Sequence, residues 1–172
     1  MYRSDKVFIL DDGWVDFYLN MAIMYSTCSK DPSTQVGCVL VDEKRRPIGW
    51  GTNGLSRYSS DSKDILNNRE EKYKRVLHAE ENAIFNAAKS TEGTTAFITH
   101  PPCLHCCHVL SQNGIVRVVT IRPQGKFAER WNLKDTDKEL KDLGIEFNAY
   151  GRISNDPLIN ANIQFCKLHG DT

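Results

Sequence analysis

The chain reads as an α/β protein: a three-layer α/β/α domain on a mixed central sheet. Three observations predict this. Apolar runs of strand length occur at residues 36–41, 48–52, 95–99 and 116–121. The first two flank a charged, turn-like stretch, residues 42–47, as in a hairpin. The later runs alternate with helical patterns, and a hairpin followed by such alternation calls for a mixed sheet covered by helices.

Taken in order, residues 14–26 read as a first helix with Phe17, Met21 and Met24 on one apolar stripe, ended by Ser29-Lys30-Asp31-Pro32. Residues 53–75 are a long polar connection with a helical piece near its end, and connections of that length tend to be functional. Residues 79–89 form a second helix. Pro101-Pro102 break the chain after the third strand. Residues 103–113 are a helix closed by Gly114, residues 126–143 a mostly helical stretch ended by Gly144, and residues 145–149 a short last strand. The stretch from Tyr150 onward reads as irregular or partly helical. Without repeats or a linker, residues 1–172 are expected to be one domain, its core at about 14–149 and its tail at 150–172.

Composition narrows the function. Lys and Arg number 22 and Asp and Glu 22, so the net charge is zero and a broad basic face for nucleic acid is not expected. Arg45, Arg46, Lys72, Lys74 and Arg75 read as solvated charge. No apolar run spans a bilayer, and residues 1–12 lack the apolar middle of a signal peptide, which makes a cytoplasmic protein the default expectation. The six cysteines then read as reduced thiols, with Cys28, Cys38 and Cys166 as small buried or half-buried fillers.

Two short motifs carry the chemistry: His78-Ala79-Glu80 and Pro102-Cys103-Leu104-His105-Cys106. His78, Cys103 and Cys106 supply three ligands, which leaves one tetrahedral position of zinc open and suits a catalytic rather than a structural site. Water at that position with a carboxylate beside it is hydrolytic machinery. Cys103 and Cys106 share a helix face just after Pro102, and the helix N-terminus favours the thiolates that zinc needs. Glu80 is the candidate acid–base group. Two residues apart on a regular helix point nearly oppositely, so His78 and Glu80 converge only through the geometry of a helix start. Cys107 is turned about 100° from Cys106 and reads as packing. His108 reads as exposed, His105 as lying near the pocket mouth and His100 as shaping the loop. The bland readings are a redox Cys-x-x-Cys pair and, for Glu80-Glu81, a solvated face.

The order H-x-E, then P-C-x-x-C, is the signature of zinc-dependent nucleobase deaminases. The chain resembles the cytidine/deoxycytidylate deaminase superfamily, and within it the deoxycytidylate (dCMP) branch. Four stretches carry the resemblance: Ser29-Lys30-Asp31-Pro32-Ser33-Thr34-Gln35-Val36-Gly37, Gly51-Thr52-Asn53-Gly54, His78-Ala79-Glu80-Glu81-Asn82-Ala83-Ile84, and Pro102 to Cys106. The resemblance implies a zinc-dependent hydrolase that converts dCMP to dUMP and ammonia, supplying thymidylate synthesis. It implies one catalytic zinc per chain on His78, Cys103 and Cys106, with Glu80 carrying protons to ring nitrogen 3 and the departing amine. It also places Asn53 at the sugar and base edge, and Ser29 and Lys30 at the phosphate. Relatives are commonly hexamers and respond to dCTP and dTTP, so a homo-oligomer and these effectors are expected partners. Thr52 stands where many relatives have Tyr, and Leu55-Ser56-Arg57 where a proline follows, which leaves the effector response open. Residues 54–77 contain no Cys or His, so a second, structural zinc is not expected. Other readings are a deaminase of dCTP or of a nucleic-acid base, and a non-catalytic nucleotide-binding regulator.

Overall fold

A computed structural model of the chain describes residues 11–59, 63–123 and 133–151. The expectations for residues 1–10, the helical stretch 126–132 and the tail 152–172, including Cys166, lie outside these residues.

Helix α1 (Asp12–Ser26) opens on Asp11, whose carboxylate accepts the Trp14 N–H at 3.0 Å. Strands β1 (Gly37–Val41) and β2 (Pro47–Thr52) form the expected antiparallel hairpin. Two short helices, α2 (Lys63–Asn67) and α3 (Arg69–Tyr73), fill the long connection. Then follow α4 (Ala79–Phe85), β3 (Thr95–Ile98), α5 (Leu104–Gln112), β4 (Arg117–Ile121), α6 (Leu133–Asp142) and β5 (Glu146–Tyr150). Gly114 and Gly144, at φ +73° and +66°, stop α5 and α6 in the left-handed region that glycine occupies without strain.

The sheet runs β2-β1-β3-β4-β5. β1 is antiparallel to both of its neighbours, whereas β3, β4 and β5 are parallel, so the sheet is mixed as expected. Its side chains alternate between two cores. Cys38, Leu40, Ala96, Ile98 and Val118 pack on one face with α4, α5 and α6. Val39, Val41, Phe97 and Val119 pack on the other with α1. Burial on both faces is why the strands read as continuous apolar runs.

Three expectations are corrected. Helix α1 turns Val15, Tyr18, Leu19 and Ala22 to the sheet, while Phe17 and Met24 are exposed. The helix has two apolar stripes, and the sheet takes the one carrying Tyr18, whose hydroxyl donates to the Arg45 carbonyl at 2.8 Å. Helix α4 stops at Phe85 rather than residue 89. The Asn86 side chain donates to Trp50 O and the Ala88 N–H to Ile48 O, so the chain leaves the helix to bond β2. Cys28 is exposed rather than a filler. No helix among the described residues is long and apolar enough to cross a membrane.

Candidate active site

His78 and Cys103 occupy equivalent places. Each is the N-cap of its helix, His78 of α4 and Cys103 of α5, and their extended backbones nearly match at φ −77°, ψ 159° and φ −71°, ψ 166°. An N-cap residue is half outside the helix, so its side chain is not bound to the 3.6-residue spiral. That freedom brings the cluster together. His78 Nδ1 lies 3.2 Å from Cys106 Sγ and 3.6 Å from Cys103 Sγ, and the three donor atoms all lie within 4.8 Å of one another. Donors bound at zinc's usual distances in a tetrahedron stand about 3.5–3.8 Å apart, so the set fits a zinc-sized cation. It is the one cluster of three or more such donors at metal-binding spacing among the described residues.

Charge at the cluster is shared through protons. The Cys103 thiol is pushed down to about 4 by hydrogen bonding from Cys106 and, against the effect of burial, from His78. The His78 imidazole is raised to about 9, chiefly by its hydrogen bond to Cys103. Cys106 is raised because it donates to Cys103 and is buried. One thiolate holding two protonated neighbours is a set whose protons a divalent cation displaces.

Glu80 is the second residue of α4 and only 4% exposed. Burial pushes its carboxyl up to about 7, against the attraction of His78. A carboxyl poised near neutrality beside three metal donors can both take and give a proton. Glu80, His78 and Cys103 line one cavity of about 370 Å³, together with Asn53, His100 and Pro102. The loop bearing Cys103 is fixed from two sides. Thr136 of α6 donates to Pro102 O at 3.1 Å, and Thr99 bonds both Gly37 N and His100 Nδ1.

A buried polar knot forms the opposite wall. Asp31 Oδ1 accepts from Lys72 Nζ at 3.0 Å and from the Ser33 and Thr34 N–H groups at 2.8 and 3.1 Å. Burial would raise the Asp31 carboxyl, yet these bonds hold it below the usual carboxylate range. Lys72 is 6% exposed and also reaches Ser33 Oγ at 2.6 Å, which corrects its reading as solvated charge. Asn53 is spanned by this wall: its Oδ1 accepts from Val36 N at 2.7 Å, and its Nδ2 donates to Thr34 O at 2.9 Å.

The family model for the cytidine and deoxycytidylate deaminase zinc-binding region matches residues 13–122. The chain belongs to that family. An uncharacterized deaminase from the luxG 3′ region of Aliivibrio fischeri is 40% identical over 121 residues, 70% of this chain and 81% of that protein. The probable deoxycytidylate deaminase of Drosophila melanogaster is 30% identical over 148 residues, 80% of this chain and 72% of that protein. In fold, the chain matches the crystal structure of dCMP deaminase from cyanophage S-TIM5 in complex with dCMP and dUMP. The TM-score is 0.66 at 24% identity, covering 82% of this chain and 99% of that one.

Among the site residues expected of a deaminase of this family, the fold buries Cys106 against His78 and Cys103 and gathers His78, Glu80, Cys103 and Asn53 in the lining of one cavity. Ser29 and Lys30 are not part of its lining. Ser29 is buried behind it, donating to Asn53 O at 2.8 Å, and Lys30 is exposed. Cys107 is buried packing and His108 is exposed, as expected, whereas His105, expected near the pocket mouth, is exposed and not part of the cavity lining. From sequence, Lys72 reads as solvated charge, and Asp31 and Thr136 are given no site role. Each acts through a partner distant in sequence, and only the family stretch around Asp31 gave any signal.

Proposed function

We propose that the chain is a zinc-dependent deaminase that hydrolyses dCMP to dUMP and ammonia, supplying dUMP for thymidylate synthesis. The convergence of His78, Cys103 and Cys106 beside the buried acid Glu80 in one cavity carries this reading. His78, Cys103 and Cys106 would hold one zinc per chain, which supplies Lewis-acid activation of a water when bound. Glu80 takes the proton that this water loses and delivers it to ring nitrogen 3, making carbon 4 electrophilic. Water oxygen adds at carbon 4. Glu80 then takes the second proton, from the new hydroxyl on carbon 4, and gives it to the exocyclic amine; the carbon–nitrogen bond breaks, the carbon 4 carbonyl forms and ammonia leaves. A cavity of about 370 Å³ sits within the range of small-molecule sites. The probable deoxycytidylate deaminase relative and the fold match to a dCMP- and dUMP-bound enzyme support the nucleotide substrate.

Asn53 is the sugar- and base-edge contact in this reading, and the Ser29 hydroxyl supports it by donating to the Asn53 carbonyl. Lys30 is the cation for the phosphate by its family position after α1, since Lys72, the lysine that lines the cavity, is committed to Asp31 and Ser33. The protein is a homo-oligomer, a hexamer by family resemblance. Support comes from the exposed Trp14, Phe17 and Met24 on α1 and Trp50 on β2, since adjacent exposed large apolar side chains favour association. An effector bound next to Gly54 would act directly on the metal donors, because Gly54 and Leu77 exchange both main-chain hydrogen bonds one residue before His78. That makes dCTP and dTTP control mechanically feasible.

The deciding experiment compares wild type with Glu80→Gln on dCMP, dCTP, deoxycytidine and a cytosine-containing oligonucleotide, with zinc quantified. The expected result is ammonia release from dCMP by wild type and a loss of about 100- to 10,000-fold in the variant at unchanged zinc content. Equal turnover by both proteins would remove Glu80 from the chemistry, and nucleotide binding without turnover by either would favour a regulator.

A further inference from the structure

The carboxylate after Glu80 links the two halves of the donor cluster. Glu81 is the third residue of α4, and its side chain is only 18% exposed. Its Oε2 accepts the main-chain N–H of His78 at 2.8 Å. Its Oε1 lies 3.3 Å from His105 Nε2. His105 belongs to the first turn of α5, between Cys103 and Cys106. One side chain therefore ties the segment bearing His78 to the segment bearing both thiols.

We propose that Glu81 is a positioning residue that sets the metal affinity of the His78–Cys103–Cys106 cluster by clasping the start of α4 to the first turn of α5. This rests on the reading of that cluster as a zinc centre. His78 Nδ1 reaches the thiols from an extended N-cap backbone, and the bond from its N–H to Glu81 is the reciprocal half of a capping box. With that bond gone, the residue at the helix boundary is free to follow solvent instead of the helix. The contact to His105 holds the other helix start alongside. A donor set that is gathered before the ion arrives loses less conformational freedom on binding, so it binds more tightly. Groups that orient metal ligands are typically worth about 10- to 100-fold in affinity. Glu81 is itself no candidate ligand, because both of its oxygens are turned to these two partners.

The test is competition for zinc between a chromophoric chelator and the full chain, in wild type, Glu81→Ala, Glu81→Gln and His105→Ala. Electronic spectra of the cobalt-substituted proteins are recorded alongside. Glu81→Ala is expected to bind zinc about 10- to 100-fold more weakly, with altered cobalt bands. Glu81→Gln keeps an oxygen for the His78 N–H and is expected to recover most of the loss. His105→Ala removes one arm only and falls between. A cap that merely stabilises the fold would lower the unfolding midpoint and leave the competition curve in place, so superposed curves for wild type and Glu81→Ala overturn the proposal. If Glu81→Ala does not fold, His105→Ala decides alone, since His105 is 68% exposed and its loss leaves the core intact. Failure of wild type to hold stoichiometric zinc is a different result: it removes the zinc reading and this proposal with it.

Discussion

Gly51 in β2 is the position at which a single added methyl group should damage the chemistry without touching it. A Cβ built there would sit 2.3 Å from Ala79 O, 2.3 Å from Ala83 N and 2.7 Å from Asn82 C. All three are main-chain atoms of α4, which cannot rotate aside as a side chain would. Ordinary contact begins at 3.4 Å, so α4 and β2 must separate by about 1 Å. Gly51 is paired with Cys38 of β1, which anchors the strand, and the helix therefore takes much of the shift. Helix α4 carries Glu80 and begins directly after His78, whose Nδ1 stands 3.2 and 3.6 Å from the thiols of the other segment. A misplacement of about 1 Å at a reacting centre costs about 100-fold, and overpacking typically destabilises by about 1–3 kcal/mol. Gly51→Ala is thus expected to lower kcat/KM for dCMP by about 100-fold, to weaken zinc retention and to shift the urea midpoint modestly. Steady-state kinetics with zinc analysis measure the first two effects, and equilibrium denaturation the third. A Gly51→Ala protein matching wild type in kcat/KM and zinc content would refute the claim that close backbone packing of α4 on β2 sets the site.

Three other perturbations test separate parts of the structure. Lys72→Met leaves the buried Asp31 carboxylate without its cation and should cost about 3 kcal/mol, the low end for a broken buried pair because the Ser33 and Thr34 amides remain; the urea midpoint measures it. Asp42 is buried, which alone would raise its carboxyl, but bonds from Arg46, Lys89 and the Arg46 and Lys44 amides hold it well below the usual range. Its contribution is therefore complete above the unfolded value of about 3.9 and is lost as pH falls toward the depressed folded value. Asp42→Asn should make the wild-type advantage shrink steadily below about pH 4 in paired urea titrations, and a constant difference across pH would exclude the effect. Lys30→Glu should raise KM for dCMP and leave deoxycytidine turnover unaltered, whereas equal effects on both substrates would remove Lys30 from the phosphate.

The strands were legible because both faces of the sheet are buried, so β1, β3 and β4 are predominantly apolar. The helix–sheet alternation was legible for the same reason. The face of α1 was not. Val15, Tyr18, Leu19 and Ala22 compete with Phe17, Met21 and Met24 at helical spacing, and hydropathy does not choose between two apolar stripes. What decides is shape and the Tyr18 hydroxyl, whose acceptor at Arg45 is 27 residues away. Lys72 was misread for a similar reason. It lies in a dense run of charge, Arg69 to Arg75, that looks solvated from end to end. Its carboxylate partner, Asp31, is 41 residues distant, and nothing in the local composition marks one lysine of the run as buried. The candidate ligands were legible as residue types in order, but the geometry that makes H-x-E workable was not.

That geometry gives one account of both spacings. In a helix interior, residues two apart point about 200° around the axis from one another, and His78 and Glu80 would face opposite sides. Here His78 is the N-cap and Glu80 the second helical residue, so the extended cap backbone replaces one step of the spiral. Cys103 is likewise a cap, with Cys106 the third helical residue. H-x-E and C-x-x-C are then two uses of one device, a helix boundary that aims a cap side chain and a first-turn side chain into the same hollow. The N–H groups of those first turns, which have no carbonyl partner within their helix, add positive character where thiolates and a carboxylate must sit. Amphipathic periodicity therefore locates the helices, while the chemistry depends on where each helix begins. A shift of the α4 start by one residue would keep every apolar contact type and still turn the His78 imidazole away from the thiols.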